Sequence, residues 1–77
     1  MPAATLDVRE IAPKNRHSQI FEAFDGLESG EELQLINDHE PRPLFYELQA
    51  ERESFDADSY RVEQRADDEF VATLPKR

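Results

Sequence analysis

Leu6 and Val8 alternate with Asp7 and Arg9 across Thr5 to Arg9, the period-two pattern of a half-buried strand. Ile11 to Asn15 then reads as a connector, because Pro13 cannot extend a ladder and Asn15 can cap a helix. From about Arg16 the spacing becomes helical: Ile20, Phe21, Phe24 and Leu27 form one stripe, Glu22, Asp25 and Glu28 face solvent, and Gly30 supplies the stop. Alternation returns from Glu32 to Asp38, with Leu33 and Leu35 on one face and Gln34, Ile36 and Asp38 on the other. The Asp38-His39-Glu40-Pro41-Arg42-Pro43 segment ends this strand, since residues before proline avoid the helical region and Pro43 suits a first helical position. A second helix is predicted from Pro43 to Arg52, with Leu44, Phe45 and Leu48 inward and Glu47 and Arg52 in water. Glu53 to Ser59 is a polar connector with one apolar anchor, Phe55. Tyr60 to Arg65 and Glu69 to Leu74 alternate again around Ala66-Asp67-Asp68 and predict a terminal hairpin.

The element order is therefore β-α-β-α-β-β. The right-handed crossover rule makes the first two strands parallel with a helix across one face. The fold class is α+β, a two-layer α/β sandwich whose mixed four-stranded sheet carries both helices on one face. Leu6, Val8, Leu33, Leu35, Tyr60, Val62, Phe70 and Leu74 form the expected sheet side of the core, while Ile36 and Val71 lie on the open face. A chain of 77 residues has room for one domain and a small core, with residues 1–4 and 75–77 expected to fray.

Composition narrows the function. Eighteen acidic residues against nine basic ones give a formal charge of -9, which repels phosphate backbones and anionic membranes. Neither a nucleic-acid nor a membrane partner is expected. The acidic excess runs along the whole chain and suggests a salt-adapted, halophilic cytoplasm, with an ordinary acidic protein as the plain alternative. No apolar run resembles a signal peptide or a membrane span, so cytoplasmic residence is the default expectation. The absence of cysteine removes disulfides, thiolate metal sites and thiol nucleophiles. No phosphate-loop, dinucleotide or nucleophile-elbow pattern is present, so no cofactor is expected and no catalytic residue stands out.

In this topology the carboxyl ends of the two parallel strands and the amino ends of both helices share one edge, where open α/β sheets bind ligands. Arg9, Glu10, Lys14, Arg16 and His17 reach it from the first crossing, and Asp38, His39 and Arg42 from the second. Four of the nine basic residues gather there beside two helix amino termini, an expected anion-attracting patch. The plain alternative pairs Arg9 with Glu10 or Asp7, and Arg42 with Glu40. His17 and His39, the only histidines, have the donor chemistry for a divalent metal but no ligand spacing. Structural roles, His17 packing on the helix stripe and His39 bracing the Pro41 to Pro43 turn, outweigh a metal site.

The segments Leu6-Asp7-Val8-Arg9-Glu10-Ile11, Arg16-His17, Ile20-Phe21, Gly30-Glu31 and Asn37-Asp38-His39-Glu40-Pro41-Arg42-Pro43-Leu44 resemble the DUF2249 family over most of the chain. That family is in turn similar to the TusA/SirA sulfur carriers, which open with Leu-Asp-x-Arg-Gly-Leu-x-Cys-Pro. In the matching stretch here Pro13 stands where the carrier has its cysteine, so the resemblance implies the scaffold without the persulfide chemistry. It also implies a partner role near redox or nitrogen-oxide metabolism, since related domains often accompany hemerythrin-like or cupin metal-binding domains. The expected function is a non-enzymatic binding module that recognises a protein partner or small anion through Arg9, Arg16, His17, Asp38, His39 and Arg42. The alternative is a metal-binding or redox-linked sensor domain using His17 and His39. RNA contact, by analogy with an initiation-factor domain of similar topology, is opposed by the charge.

Overall fold

The computed structural model describes residues 3–77. Strand β1 (Ala4–Asp7) leads to helix α1 (Pro13–Asp25), strand β2 (Glu32–Asn37), helix α2 (Arg42–Glu51), a short 3-10 turn (Ala57–Ser59), and strands β3 (Arg61–Ala66) and β4 (Glu69–Pro75). The strands form one mixed sheet in the order β1-β2-β4-β3. β1 runs parallel to β2 with Leu6 opposite Leu35. β4 pairs antiparallel with β2 and β3, placing Leu74 opposite Leu33 and Ala72 opposite both Leu35 and Val62.

Ile20 and Phe24 of α1 and Leu44 and Leu48 of α2 join Val8, Leu33, Leu35, Ala72 and Leu74 in one buried cluster. The fold is thus the expected two-layer α+β arrangement. Each fully buried large side chain contributes on the order of 1.5–3 kcal/mol. Leu6, Tyr60 and Val62 pack against this cluster only partly buried, whereas Ala72, not expected in the core, is fully buried. Phe55 makes edge contacts with Phe24, Phe45 and Tyr60 and bridges Lys76 in the backbone.

Several element ends differ from the sequence reading for local reasons. β1 stops at Asp7 because the Asp7 carboxylate accepts the Arg9 backbone N–H at 3.0 Å, a side-chain turn that competes with the ladder. Pro13 opens α1 instead of preceding it, since its missing N–H costs nothing at a first helical position. α1 ends at Asp25 and not near Gly30; Gly30 instead takes φ 87° in the turn into β2, a conformation that glycine adopts freely. α2 begins and ends one residue earlier than expected, and the 3-10 turn was not anticipated.

The chain end is also held down where fraying was expected. Lys76 donates its backbone N–H to Glu31 O at 2.8 Å, and its Nζ donates to Leu27 O at 2.7 Å and Asp25 O at 3.3 Å. The ammonium therefore satisfies carbonyls left open at the carboxyl end of α1. Ala4 is in β1, and residues 1–2 of the segment expected to fray lie outside the described residues.

Tyr60 carries the fold's one unsatisfied buried side-chain polar atom among the described residues, its hydroxyl oxygen. Burial pushes the phenol up from 10.0 to about 12, with the Glu40 carboxylate adding to the effect. A group with a raised folded pKa keeps its stability contribution below its unfolded pKa and loses it as pH rises toward the folded value. Tyr60→Phe is expected to raise stability by about 1 kcal/mol at neutral pH. Its advantage should widen between pH 10 and about 12, as measured by urea unfolding at each pH.

Candidate functional site

The edge where β2 ends and both helices begin is organised around one buried guanidinium. Arg16 lies in the first turns of α1 and is 9% exposed. Its Nε donates to Ile11 O at 2.8 Å. Nη1 donates to Asn37 Oδ1 at 3.3 Å and Asp38 Oδ1 at 3.2 Å. Nη2 donates to Arg9 O at 3.2 Å and Asp38 Oδ2 at 3.4 Å. A guanidinium has five N–H donors, and here five acceptors meet them. The fork ties the loop after β1 to the end of β2, which a point-charge lysine could not do equally.

Asn37 sits on the core side of β2, only 4% exposed, and its Oδ1 also accepts the Asp38 backbone N–H at 2.8 Å. Sequence reading assigned no role to this residue. A polar side chain in register with Leu33 and Leu35 was the available signal, since a buried amide needs a partner. Asp38 in turn accepts from His39 Nδ1 at 2.7 Å. The His39 hydrogen bond, followed by that from Arg16, holds the Asp38 carboxyl below its ordinary value.

Beside this fork lies a crevice of about 150 Å³, lined by Pro13, Ile20, Pro41, Pro43 and Leu44, with Arg16 and Asn37 as its polar wall and His17 and His39 also bordering it. The two histidines, from separate crossings, thus border one cavity. His17 Nδ1 is 2.8 Å from Glu47 Oε2, a contact joining α1 to α2. An ionised carboxylate only accepts, so Nδ1 carries the proton in both imidazoles, and Nε2 has no side-chain partner among the described residues. These carboxylate contacts were not part of the sequence expectation for either histidine.

The other two expected site residues stand apart from the crevice. Arg9 turns to Asp7, with Nη2 2.9 Å from Oδ2, and approaches Glu69 at 3.6 Å. Arg42 Nε pairs with Glu40 Oε2 at 3.1 Å and is largely exposed. Of the four basic residues expected at this edge, Arg9, Arg16 and Arg42 are matched by carboxylates, whereas Lys14 has no carboxylate within salt-bridge distance among the described residues. No group of three or more His, Asp or Glu side chains among the described residues is placed to hold a metal. None of the described helices is long and apolar enough to cross a membrane.

A family model described as "Uncharacterized conserved protein (DUF2249)" matches residues 5–76. The chain belongs to the DUF2249 family. No curated protein and no solved structure matches it. The stretch shared with this family includes Arg16, Asn37 and the Asp38 to Pro43 turn, so this DUF2249 domain carries its whole crevice inside the matched region.

Two outcomes test the fork. Arg16→Leu leaves Asn37, Asp38 and two backbone carbonyls without their donor and is expected to cost about 3 kcal/mol in chemical unfolding. Arg16→Lys should recover only part of this. A depressed carboxyl pKa stabilises above the unfolded value, here near 3.8, and that stability is lost as pH falls through the folded pKa. Asp38→Asn should accordingly be less stable than wild type at neutral pH, with the gap closing below about pH 4.

Proposed function

We propose that this DUF2249 domain is a non-enzymatic recognition module, on a scaffold akin to the sulfur carriers but without their cysteine, that takes a side chain of a protein partner into the crevice. The supporting observation is the cavity itself: apolar walls of Pro13, Ile20, Pro41, Pro43 and Leu44 bordered by two imidazoles whose Nδ1 atoms are already fixed. Its volume of about 150 Å³ is well below the roughly 300–1,000 Å³ of small-molecule pockets. That size suits a single anchoring side chain, the usual centre of a protein interface.

His17 and His39 are the contact residues in this reading. Asp38, itself held by Arg16, positions His39, Glu47 positions His17, and Arg9 and Arg42 lie outside. A small anion is less well served, because the three nearby guanidiniums are already neutralised. With no cysteine in the chain, there is no thiol for sulfur transfer. The metal-linked alternative has two imidazole Nε2 atoms in its favour, with no third donor placed beside them among the described residues.

The side chains of His17 and His39 are about half exposed, so His17→Ala/His39→Ala should fold normally by circular dichroism. Affinity capture from cell extract is expected to yield a discrete protein with wild type, and titration of that purified protein should be weakened at least tenfold by the double substitution. Equal capture and equal affinity would contradict the reading.

A further inference from the structure

We infer that the partner segment is basic and runs from the crevice into the groove between α1 and α2, an inference that rests on the crevice reading above. The groove has a volume of about 650 Å³ and shares His17 with the crevice. On α1 it is lined by Lys14, His17, Ser18, Phe21, Glu22 and Asp25, a spacing of three and four residues that forms one helical face. Glu47 and Glu51 face them from α2. From Lys14 to Asp25 this face is roughly 16 Å long at 1.5 Å per residue.

Charge decides the occupant. Four carboxylates and one ammonium line the groove. Asp25 is engaged by Arg52, with Nε 2.8 Å from Oδ1, and Glu47 by His17. Glu22 and Glu51 have no cation within salt-bridge distance among the described residues, which leaves the groove negative. Phe21 is partly buried at its floor, under the Arg52 guanidinium at 4.8 Å, and offers an aromatic surface that a second cation or an aliphatic stem can cover. The adjoining crevice adds an apolar socket. A segment with one aliphatic anchor followed by Lys or Arg residues matches both parts, and its charge favours encounter with an acidic domain.

The test uses a capped leucine followed by a short run of Ala, Lys and Arg, titrated into the isotopically labelled 77-residue chain. The same peptide with Glu in place of Lys and Arg serves as comparison. Amide shifts are expected at His17, Ile20 and Leu44 and also at Phe21, Glu22, Glu47 and Glu51. Glu22→Lys/Glu51→Lys should weaken binding at least tenfold, whereas Asp67→Lys/Asp68→Lys, an equal charge reversal in the β3–β4 turn, should change it less than about twofold. No binding of the basic peptide, equal binding of the acidic one, or equal weakening by both reversals overturns the inference. Shifts confined to His39, Ile20 and Leu44 also overturn it, while leaving the crevice reading intact.

Discussion

The five-donor fork of Arg16 is the constraint on which the site depends. α1 and β2 already pack through Ile20, Phe24, Leu33 and Leu35, but apolar packing does not fix the position of the polar loops beyond the strand ends. The fork does, by joining Arg9 O and Ile11 O to Asn37 and Asp38. Satisfying every donor offsets the cost of burying the charge, and loss of one partner leaves several polar groups unpaired. His39 then takes its orientation from the same Asp38 carboxylate, so one guanidinium sets both the backbone and a side chain at the crevice.

A chain of formal charge -9 places its few cations with some economy. Arg52 clamps Asp25 across the two helices, Arg65 lies against Glu63 at 2.8 Å, and Lys76 closes the end of α1. The exposed pairs contribute little stability individually. Their effect is to leave unpaired negative charge in particular places, among them the helix groove. On the open sheet face, Val71 is only 5% exposed and lines a shallow depression with Arg61, Glu63 and Arg65, so that face is clothed by its own side chains.

Much of the architecture was legible because period-two and helical stripes report burial directly. Leu33 and Leu35, Ile20 and Phe24, and Leu44 and Leu48 all fall where their spacing put them. Element ends were less legible, since they depend on single contacts such as Asp7 with the Arg9 N–H, or on Pro13 serving as a helix start. At the edge, chain order indicated that the segments carrying His17 and His39 would meet. It could not indicate that Arg16 would be buried, because an arginine beside polar residues reads as surface until its acceptors, three of them backbone or amide oxygens, are placed around it. Asn37 was missed for the same reason: alternation identifies its face, but the partner that makes burial affordable comes from another element.

The most direct measurement is proton-detected nuclear magnetic resonance of the arginine side chains. Arg16 alone is expected to show individually resolved, slowly rotating Nη protons protected from solvent exchange, with close contacts to Ile11 and Asn37. An Arg16 signal as averaged and exposed as that of Arg42 would contradict this, and would remove the basis for a preformed crevice between His17 and His39.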